Sequence, residues 1–308
     1  MSHSTSRIHL TGANGFIGRA LMAGLRAAGH EVTGSDLSPG PDAVPLDLRD
    51  RAGVAARLEA ERPDLVVHGG AISGAMLATG DPALMFDVNV AGTLNVAEAM
   101  RRSGVSRLVF LSSNAVYAPA ATRDPVGEDA PLGAADAYGA SKLAAESVLR
   151  AYAESHGIAT LALRISSVFG PGRVTPYLVS HALEAARRGA PIEVTDRRSN
   201  MRQFVHVRDV VRAVCLAVEA VRPGFTPVNI TGGTYLSEEE VVRRLLAEVG
   251  VPALTVIASR GRHDDGEVGP LDLSRAAALL GYRPSVDLAA ALAELARAPV
   301  AATTGPAA

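Results

Sequence analysis

The sequence predicts an α/β fold, a doubly wound parallel sheet followed by a smaller, mostly helical C-terminal lobe. Three observations carry this. Short apolar runs alternate with helical patterns through the first half of the chain. The runs are apolar throughout rather than at every second residue, as expected of strands covered on both faces. A glycine-rich turn stands at the first strand–helix junction, where this architecture opens its ligand crevice.

In chain order, Ile8-His9-Leu10 reads as a strand and Phe16 to Ala28 as a helix. Glu31 to Ser35 is a second strand, and Val44-Pro45-Leu46 leads into Asp47 and a helix from about Asp50 to Glu61. Leu65 to His68 is a buried strand, Leu84 to Arg102 a long helix, Leu108 to Leu111 a strand, Ala137 to His156 a helix and Thr160 to Ile165 a strand. After Phe169-Gly170-Pro171-Gly172 the pattern loosens. Helices are expected at about Pro176 to Arg188, Arg208 to Val221 and Ser237 to Glu248, with short strands at Ile192-Glu193-Val194 and Val228-Asn229-Ile230. Residues 1–172 therefore form the nucleotide-binding unit. Residues 173–298 are expected to form a substrate lobe that closes over the crevice with segments returning to the main sheet, and 299–308, an Ala/Pro/Thr-rich tail, are expected to be disordered.

Composition narrows the function. Of 308 residues, 48% are hydrophobic, enough for a sizeable core, and Trp is absent. With 30 basic against 32 acidic residues the net charge is -2, which gives no electrostatic reason to expect nucleic acid or an anionic membrane as partner. The one cysteine, Cys215, lies in a helical run and is expected to be a buried, inert thiol. No signal-peptide pattern opens the chain and no apolar run is long enough to span a bilayer, so a cytoplasmic setting is expected.

Thr11-Gly12-Ala13-Asn14-Gly15-Phe16-Ile17-Gly18 carries the first chemistry. Gly12 suits a tight turn, Gly15 lets backbone approach a pyrophosphate, and Gly18 lets the helix pack close to the sheet, with the helix N-terminus facing the phosphates. Asp36 ends the second strand, where an acid binds ribose hydroxyls and repels a 2′-phosphate. No Lys or Arg follows in Leu37 to Pro41, so NAD is favoured over NADP. Further along, Tyr138 and Lys142 stand four residues apart on one helix face. A phenol, ordinarily near pKa 10, becomes a usable base only with an adjacent ammonium and a cationic ring to stabilise its anion. Ser112 and Ser113 end a strand on opposite faces, so only one of them can present its hydroxyl to the same site.

Taken together, TGANGFIG (Thr11 to Gly18), NVAGTLNV (Asn89 to Val96), FLSSNAVY (Phe110 to Tyr117), YGASK (Tyr138 to Lys142), LRISSVFGPG (Leu163 to Gly172) and RQFVHVRDV (Arg202 to Val210) resemble the extended short-chain dehydrogenase/reductase family, particularly its sugar-nucleotide epimerase branch. The likeness runs from Ile8 to about Leu292. It implies a Rossmann fold, NAD as cofactor, and Ser113, Tyr138 and Lys142 as the catalytic group. For the cofactor it implies contacts from Gly12, Asn14, Gly15, Phe16, Ile17, Gly18, Asp36, Asp47 and Leu48 (beside adenine), Gly70 and Ala71 (beside the pyrophosphate and ribose), Asn89 as a brace, Ser112, Tyr138 and Lys142. For the substrate it implies Ser73, Asn114, Ser167, Arg202 and Arg262, the two arginines on a diphosphate. His68 and His206 read as packing residues.

Three departures from the family pattern bear on function. Ser167 replaces an asparagine that helps bind the sugar-nucleotide diphosphate. Gly69-Gly70-Ala71 replaces an alanine pair and is expected to leave extra room near the cofactor. Asn114-Ala115 replaces the Asp-Glu pair of 4,6-dehydratases, which argues against dehydration. The implied reaction is removal of a hydroxyl proton by Tyr138 with hydride passing to NAD, on a secondary alcohol of a sugar-like, nucleotide-linked substrate. A nucleotide-sugar 4-epimerase and a dehydrogenase of a free sugar, sugar acid or polyol share this first half-reaction. A non-catalytic NAD-binding regulator is disfavoured because Ser113, Tyr138 and Lys142 are all present. A homodimer through the helices of Leu84 to Arg102 and Ala137 to His156 is expected.

Overall fold

The computed structural model describes residues 5–73, 81–119, 124–173, 175, 177–195, 201–250, 256–259 and 268–297. Its first strands and helices follow the apolar runs closely: β1 (Arg7–Thr11), α1 (Phe16–Ala27), β2 (Glu31–Asp36), β3 (Val44–Pro45), α2 (Arg51–Glu61) and β4 (Leu65–His68). The chain continues through α3 (Pro82–Phe86), a π-helical turn at Asp87–Ala91, α4 (Gly92–Ser103), β5 (Arg107–Ser113), a short 3₁₀ turn at Asn114–Val116, α5 (Ala137–His156), β6 (Ala159–Ile165) and β7 (Ser167–Phe169). Then come α6 (Leu178–Arg188), β8 (Ile192–Thr195), β9 (Met201–His206), α7 (Val207–Ala220), β10 (Phe225–Ile230), β11 (Tyr235–Ser237), α8 (Glu238–Val249), β12 (Val256–Ser259), α9 (Ser274–Leu280) and α10 (Leu288–Arg297).

Seven strands make one parallel sheet in the order β10-β6-β5-β4-β1-β2-β3. The chain enters at β1, winds outward through β2 and β3, then crosses back to β4 and winds the other way. The winding reverses between β1 and β4, which places the crevice at their carboxyl ends. Both faces are covered, as the uniformly apolar strands require. One buried cluster joins Ile8, Leu10, Val67 and Val109 to Leu21 and Leu25 of α1 and Val210 and Val214 of α7. The other joins Val66, Leu108 and Phe110 to Val54 and Leu58 of α2, Val96 and Met100 of α4 and Leu149 of α5. Cys215 is half-buried on α7, and burial pushes its thiol above the usual range.

β10 is the segment that returns late in the chain, pairing with β6 at one edge of the sheet. Its open side is closed by side chains. The Glu128 carboxylate accepts the Asn229 N–H at 2.8 Å, and Pro227 has no N–H to leave exposed. The remainder packs a third core, Phe169, Val179, Ala182, Phe204, Val241, Leu245 and Leu292, between α6, α8 and α10. Two small sheets lie here, β11-β9-β7 and β12-β8. The run expected as one helix from Leu84 to Arg102 begins earlier, at Pro82, because Asp81 caps it by accepting the Leu84 N–H at 2.9 Å. It also widens into the π turn, where Asn89 lies.

Candidate active site

The register sets Thr11 of β1 level with His68 of β4, and His68 level with Phe110 of β5. The glycine turn, the Gly69-Gly70 loop and Ser113 therefore emerge side by side at the carboxyl edge of the sheet. The glycine turn hangs from β2, since the Gly12 and Ala13 N–H groups donate to the Ser35 carbonyl at 2.8 and 3.1 Å. Gly12 has φ +76°, and a Cβ there would lie 2.7 Å from the Gly70 nitrogen, so the two loops touch backbone to backbone. A Cβ on Gly18 would lie 1.9 Å from the Gly12 carbonyl oxygen. Gly18 thus serves close packing as expected, but against the turn itself rather than the sheet. Gly15 differs. A Cβ there would meet only the Gly12 oxygen, at 3.3 Å, and no side chain caps the helix that Gly15 opens. That leaves an open cradle under an uncapped helix N-terminus, formed by Gly15, Phe16, Ile17 and Gly18, which fits a pyrophosphate.

Asp36 stands beside the cradle, accepting the Asn14 N–H at 3.0 Å on one carboxylate oxygen and the Ser38 N–H at 3.0 Å on the other. Each oxygen keeps a lone pair for a ribose hydroxyl. The Asn14 side chain donates to the Ser38 carbonyl at 2.6 Å, so it fixes the loop after β2. NAD is expected to bind roughly tenfold or more tighter than NADP, and Asp36→Ala to narrow that gap, because a carboxylate repels a 2′-phosphate. Paired dissociation constants for the two nucleotides check this, and tighter NADP binding by the unaltered protein would overturn it.

Other cofactor candidates fare less uniformly. Leu48 is buried. The Asp47 carboxylate is instead clasped by Arg49, whose Nη2 donates to it at 2.6 Å, and this bond holds its pKa below the usual range. The extra room expected at Gly69-Gly70 is not there. A Cβ on Gly70 would meet Leu48 Cδ1 at 2.8 Å and one on Gly69 would meet Leu111 Cδ1 at 3.0 Å, so larger neighbours fill the space. Ala71 follows, half-buried in the same loop.

His68 is structural, as read. Its Nδ1 lies 2.6 Å from Thr11 Oγ1 and its Nε2 3.0 Å from Thr93 Oγ1. Thr11 Oγ1 accepts the Gly70 N–H and Thr93 Oγ1 donates to the Asn89 carbonyl, so the ring is assigned its proton on Nε2. Burial, helped by the Lys142 charge, lowers its pKa to about 3. Asn89 then clamps the loop from both sides. Its Oδ1 accepts the Ile72 N–H at 2.8 Å, and its Nδ2 donates to the Ile72 carbonyl at 3.0 Å and to Ser141 Oγ at 2.9 Å. Asn89 thereby joins the loop after β4 to the helix of Tyr138.

The two serines separate as alternation requires. Ser113 accepts the Ala115 N–H at 3.2 Å, and its hydroxyl acts on the Tyr138 phenol. Ser112, expected among the cofactor contacts, points its hydroxyl the other way and donates to Glu146 Oε1 at 2.6 Å. Asp136 caps α5 by accepting the Gly139 N–H at 2.7 Å. Gly139, which the sequence reading does not single out, brings the helix close: its Cβ would lie 2.3 Å from the Ala115 carbonyl oxygen. Burial pushes the Tyr138 phenol above its usual pKa, and the Ser113 hydroxyl opposes this only in part. Lys142 does not supply the expected lowering, because its ammonium donates to the Leu111 carbonyl at 2.9 Å and lies 4.8 Å from the Phe110 ring centroid. Burial also lowers Lys142 itself, to about 8.

On the substrate side, Ser73 and Ser167 are exposed and Asn114 is half-buried in the 3₁₀ turn after Ser113. Arg202 is paired with Glu238, Nε to Oε1 at 3.2 Å. Arg262 lies outside the described residues. His206 packs edge-on to Phe169 at 5.2 Å, as expected of a packing residue, and its Nδ1 accepts the Arg208 N–H. Arg19 was not singled out by the sequence reading. It spans from the Asn14 carbonyl (2.7 Å) to the Gly172 carbonyl (3.1 Å), tying the glycine turn to the segment that leaves the nucleotide-binding unit. Among the described residues no cluster of His, Cys, Asp and Glu is arranged to hold a metal ion, and no helix is long and apolar enough to cross a membrane.

Comparison with known proteins gives the family and the fold. Residues 8–231 match the model of the NAD dependent epimerase/dehydratase family. A UDP-glucose 4-epimerase of Mycolicibacterium smegmatis is 31% identical, over 94% of this chain and 96% of the relative. The structure of a Thermus thermophilus UDP-glucose 4-epimerase in complex with NAD superposes with a TM-score of 0.83 at 31% identity, covering 96% of this chain and 100% of that one. A Thermotoga maritima UDP-glucose 4-epimerase with UDP-glucose superposes with a TM-score of 0.85 at 26% identity, covering 94% and 97%.

Proposed function

Because the chain belongs to the NAD dependent epimerase/dehydratase family and is an NAD-dependent enzyme, we propose that it oxidises a secondary hydroxyl of a sugar-like substrate, in the manner of a nucleotide-sugar 4-epimerase. The observation that carries this is the placement of Ser113, at the end of β5, close enough to Tyr138 to act on its phenol and beside the open Gly15 cradle. Ser113 holds the substrate oxygen, and Tyr138 takes its proton as the C–H bond breaks. Lys142 holds the ribose. NAD, when bound, supplies the hydride acceptor and a positive ring that draws the phenol toward its anion. Gly15 to Gly18, Asp36 and Asn89 hold or brace the nucleotide, and residues 173–298 supply the far wall of the substrate site. In an epimerase, Tyr138 would then give its proton back to the substrate oxygen after the sugar ring has turned its other face to the nucleotide. Asn114-Ala115 offers no acid for dehydration. A homodimer belongs to the same reading, through α3 to α5, where Phe86 and Leu94 leave large apolar side chains exposed.

A second reading, net dehydrogenation of a free sugar, sugar acid or polyol, is favoured by two observations. Glu238 already engages Arg202, and Ser167 is shorter than the family's asparagine. Incubation with nucleotide sugars and with their free counterparts decides between them. The expected result is interconversion of nucleotide-sugar epimers with NAD retained and no net NADH. Stoichiometric NADH release from a free sugar or sugar acid, with nucleotide sugars inert, would replace the first reading by the second.

A further inference from the structure

Lys142 is the only lysine in the chain, every other Lys/Arg position being arginine. Its side chain is 4% exposed, and among the described residues no carboxylate is bonded to it. Its partners are the Leu111 carbonyl of β5 and the face of Phe110. One helical turn on, and so on the same face of α5, stands Glu146, 2% exposed. Glu146 is held on three sides, by Ser112 Oγ of β5 at 2.6 Å and by Nε and Nη2 of Arg164 of β6 at 3.1 and 2.7 Å. Arg164, 1% exposed, also donates to the Glu128 carbonyl at 2.9 Å and stacks 4.9 Å from the Tyr117 ring.

A buried ion pair is a poor source of stability, since well-packed apolar residues often serve as well. This one lies directly beneath the residue whose charge the reaction needs. Building on the proposed role of Lys142, we propose that Glu146 is a positioning residue that keeps Lys142 protonated, and that Arg164 tempers it by sharing the same carboxylate. Among the described residues the charged and titratable groups around Lys142 are few. Glu146 and the Tyr138 phenol share α5, His68 faces it from β4 as a neutral ring, and Arg164 stands behind Glu146 on β6. Asp136 acts on Tyr138. Burial draws Lys142 down and the Glu146 charge draws it up, the two together leaving it at about 8. Losing Glu146 would empty Lys142 of its proton at mildly alkaline pH. Losing Arg164 would leave the carboxylate undivided and strengthen its hold.

The single lysine makes the test direct. Full-length protein carrying ¹³Cε-lysine gives one lysine resonance, titrated with NAD bound and without it. In Glu146→Gln the midpoint is expected to fall by about one unit or more, and in Arg164→Gln to rise. The alkaline limb of kcat should move in the same two directions. A purely structural role would leave both midpoints in place or move both the same way, and either result overturns the proposal. Ser112→Ala, a milder change, removes one donor from Glu146 and should raise the midpoint by a few tenths of a unit. An unmoved resonance there counts against the proposal even where the other variants do not fold. Lys142→Met separates the two claims: undiminished turnover would remove Lys142 from catalysis, whereas the resonance judges Glu146 and Arg164 independently.

Discussion

Replacing Tyr138 by Phe is expected to lower kcat by about 10²- to 10⁴-fold, the range typical of losing a positioned acid–base group, while the NAD dissociation constant changes by no more than roughly threefold. The ring keeps its place because α5 is fixed by contacts that do not involve the hydroxyl: the Asp136 cap, the Gly139 approach to Ala115 and the Asn89 bond to Ser141. What would disappear, on the proposed reading, is the proton acceptor beside Ser113. The protein alone leaves the phenol too weak an acid, since burial raises it and the nearby ammonium is turned to the Leu111 carbonyl. On the proposed reading, Tyr138 would become a base only once positive charge from the cofactor reached it, which would link proton transfer to an oxidised, correctly seated nucleotide. Single-turnover rates and nucleotide titration measure the two quantities separately. Unchanged turnover in Tyr138→Phe would remove Tyr138 from the mechanism.

The sequence shows the scaffold of this site more fully than its wiring. Strands such as Leu65–His68 are legible because burial on both faces leaves an unbroken apolar run, and α5 because Asp136 and Gly157 bracket a long helical pattern. β7 and β11 are not, being three residues each and defined by partners far away in the chain. The glycine turn is legible as a motif, yet its detailed packing depends on the Gly69-Gly70 loop, some fifty residues away in sequence and in contact through register alone. Strand alternation separates Ser112 from Ser113, but no local pattern reveals that Glu146 and Arg164 await Ser112 on the other face. Asp47 and Arg202 show the same limit from the opposite side. A charged residue at a family position is visible in the sequence, whereas Arg49 or Glu238 closing on it is a fact of three dimensions.

The glycine turn yields the other large effect, because its glycines do different physical work. Gly18→Ala puts a methyl 1.9 Å from the Gly12 carbonyl oxygen, a backbone atom that cannot swing aside, so helix and turn must part. The expected loss is several kcal/mol of stability, in the range of severe overpacking, and nucleotide binding falls with it. Gly15→Ala is the informative contrast. Gly15 has φ -65° and ψ 169°, a conformation alanine adopts freely, and its Cβ would meet a single protein atom at 3.3 Å. Alanine is a poorer helix cap than glycine but restricts the unfolded chain more, and these small terms oppose each other, so stability should stay within about 1 kcal/mol. The methyl nonetheless points into the cradle under the helix N-terminus, and NAD affinity should drop by roughly tenfold or more, the cost of about 1.4 kcal/mol of lost contact. Thermal unfolding and NAD titration on the two variants separate a glycine that the fold needs from one that the ligand needs. Should Gly15→Ala bind NAD as tightly as the unaltered protein, the pyrophosphate does not lie in that cradle, and the placement of Ser113 and Tyr138 against the nucleotide would have to be redrawn from Asp36 alone.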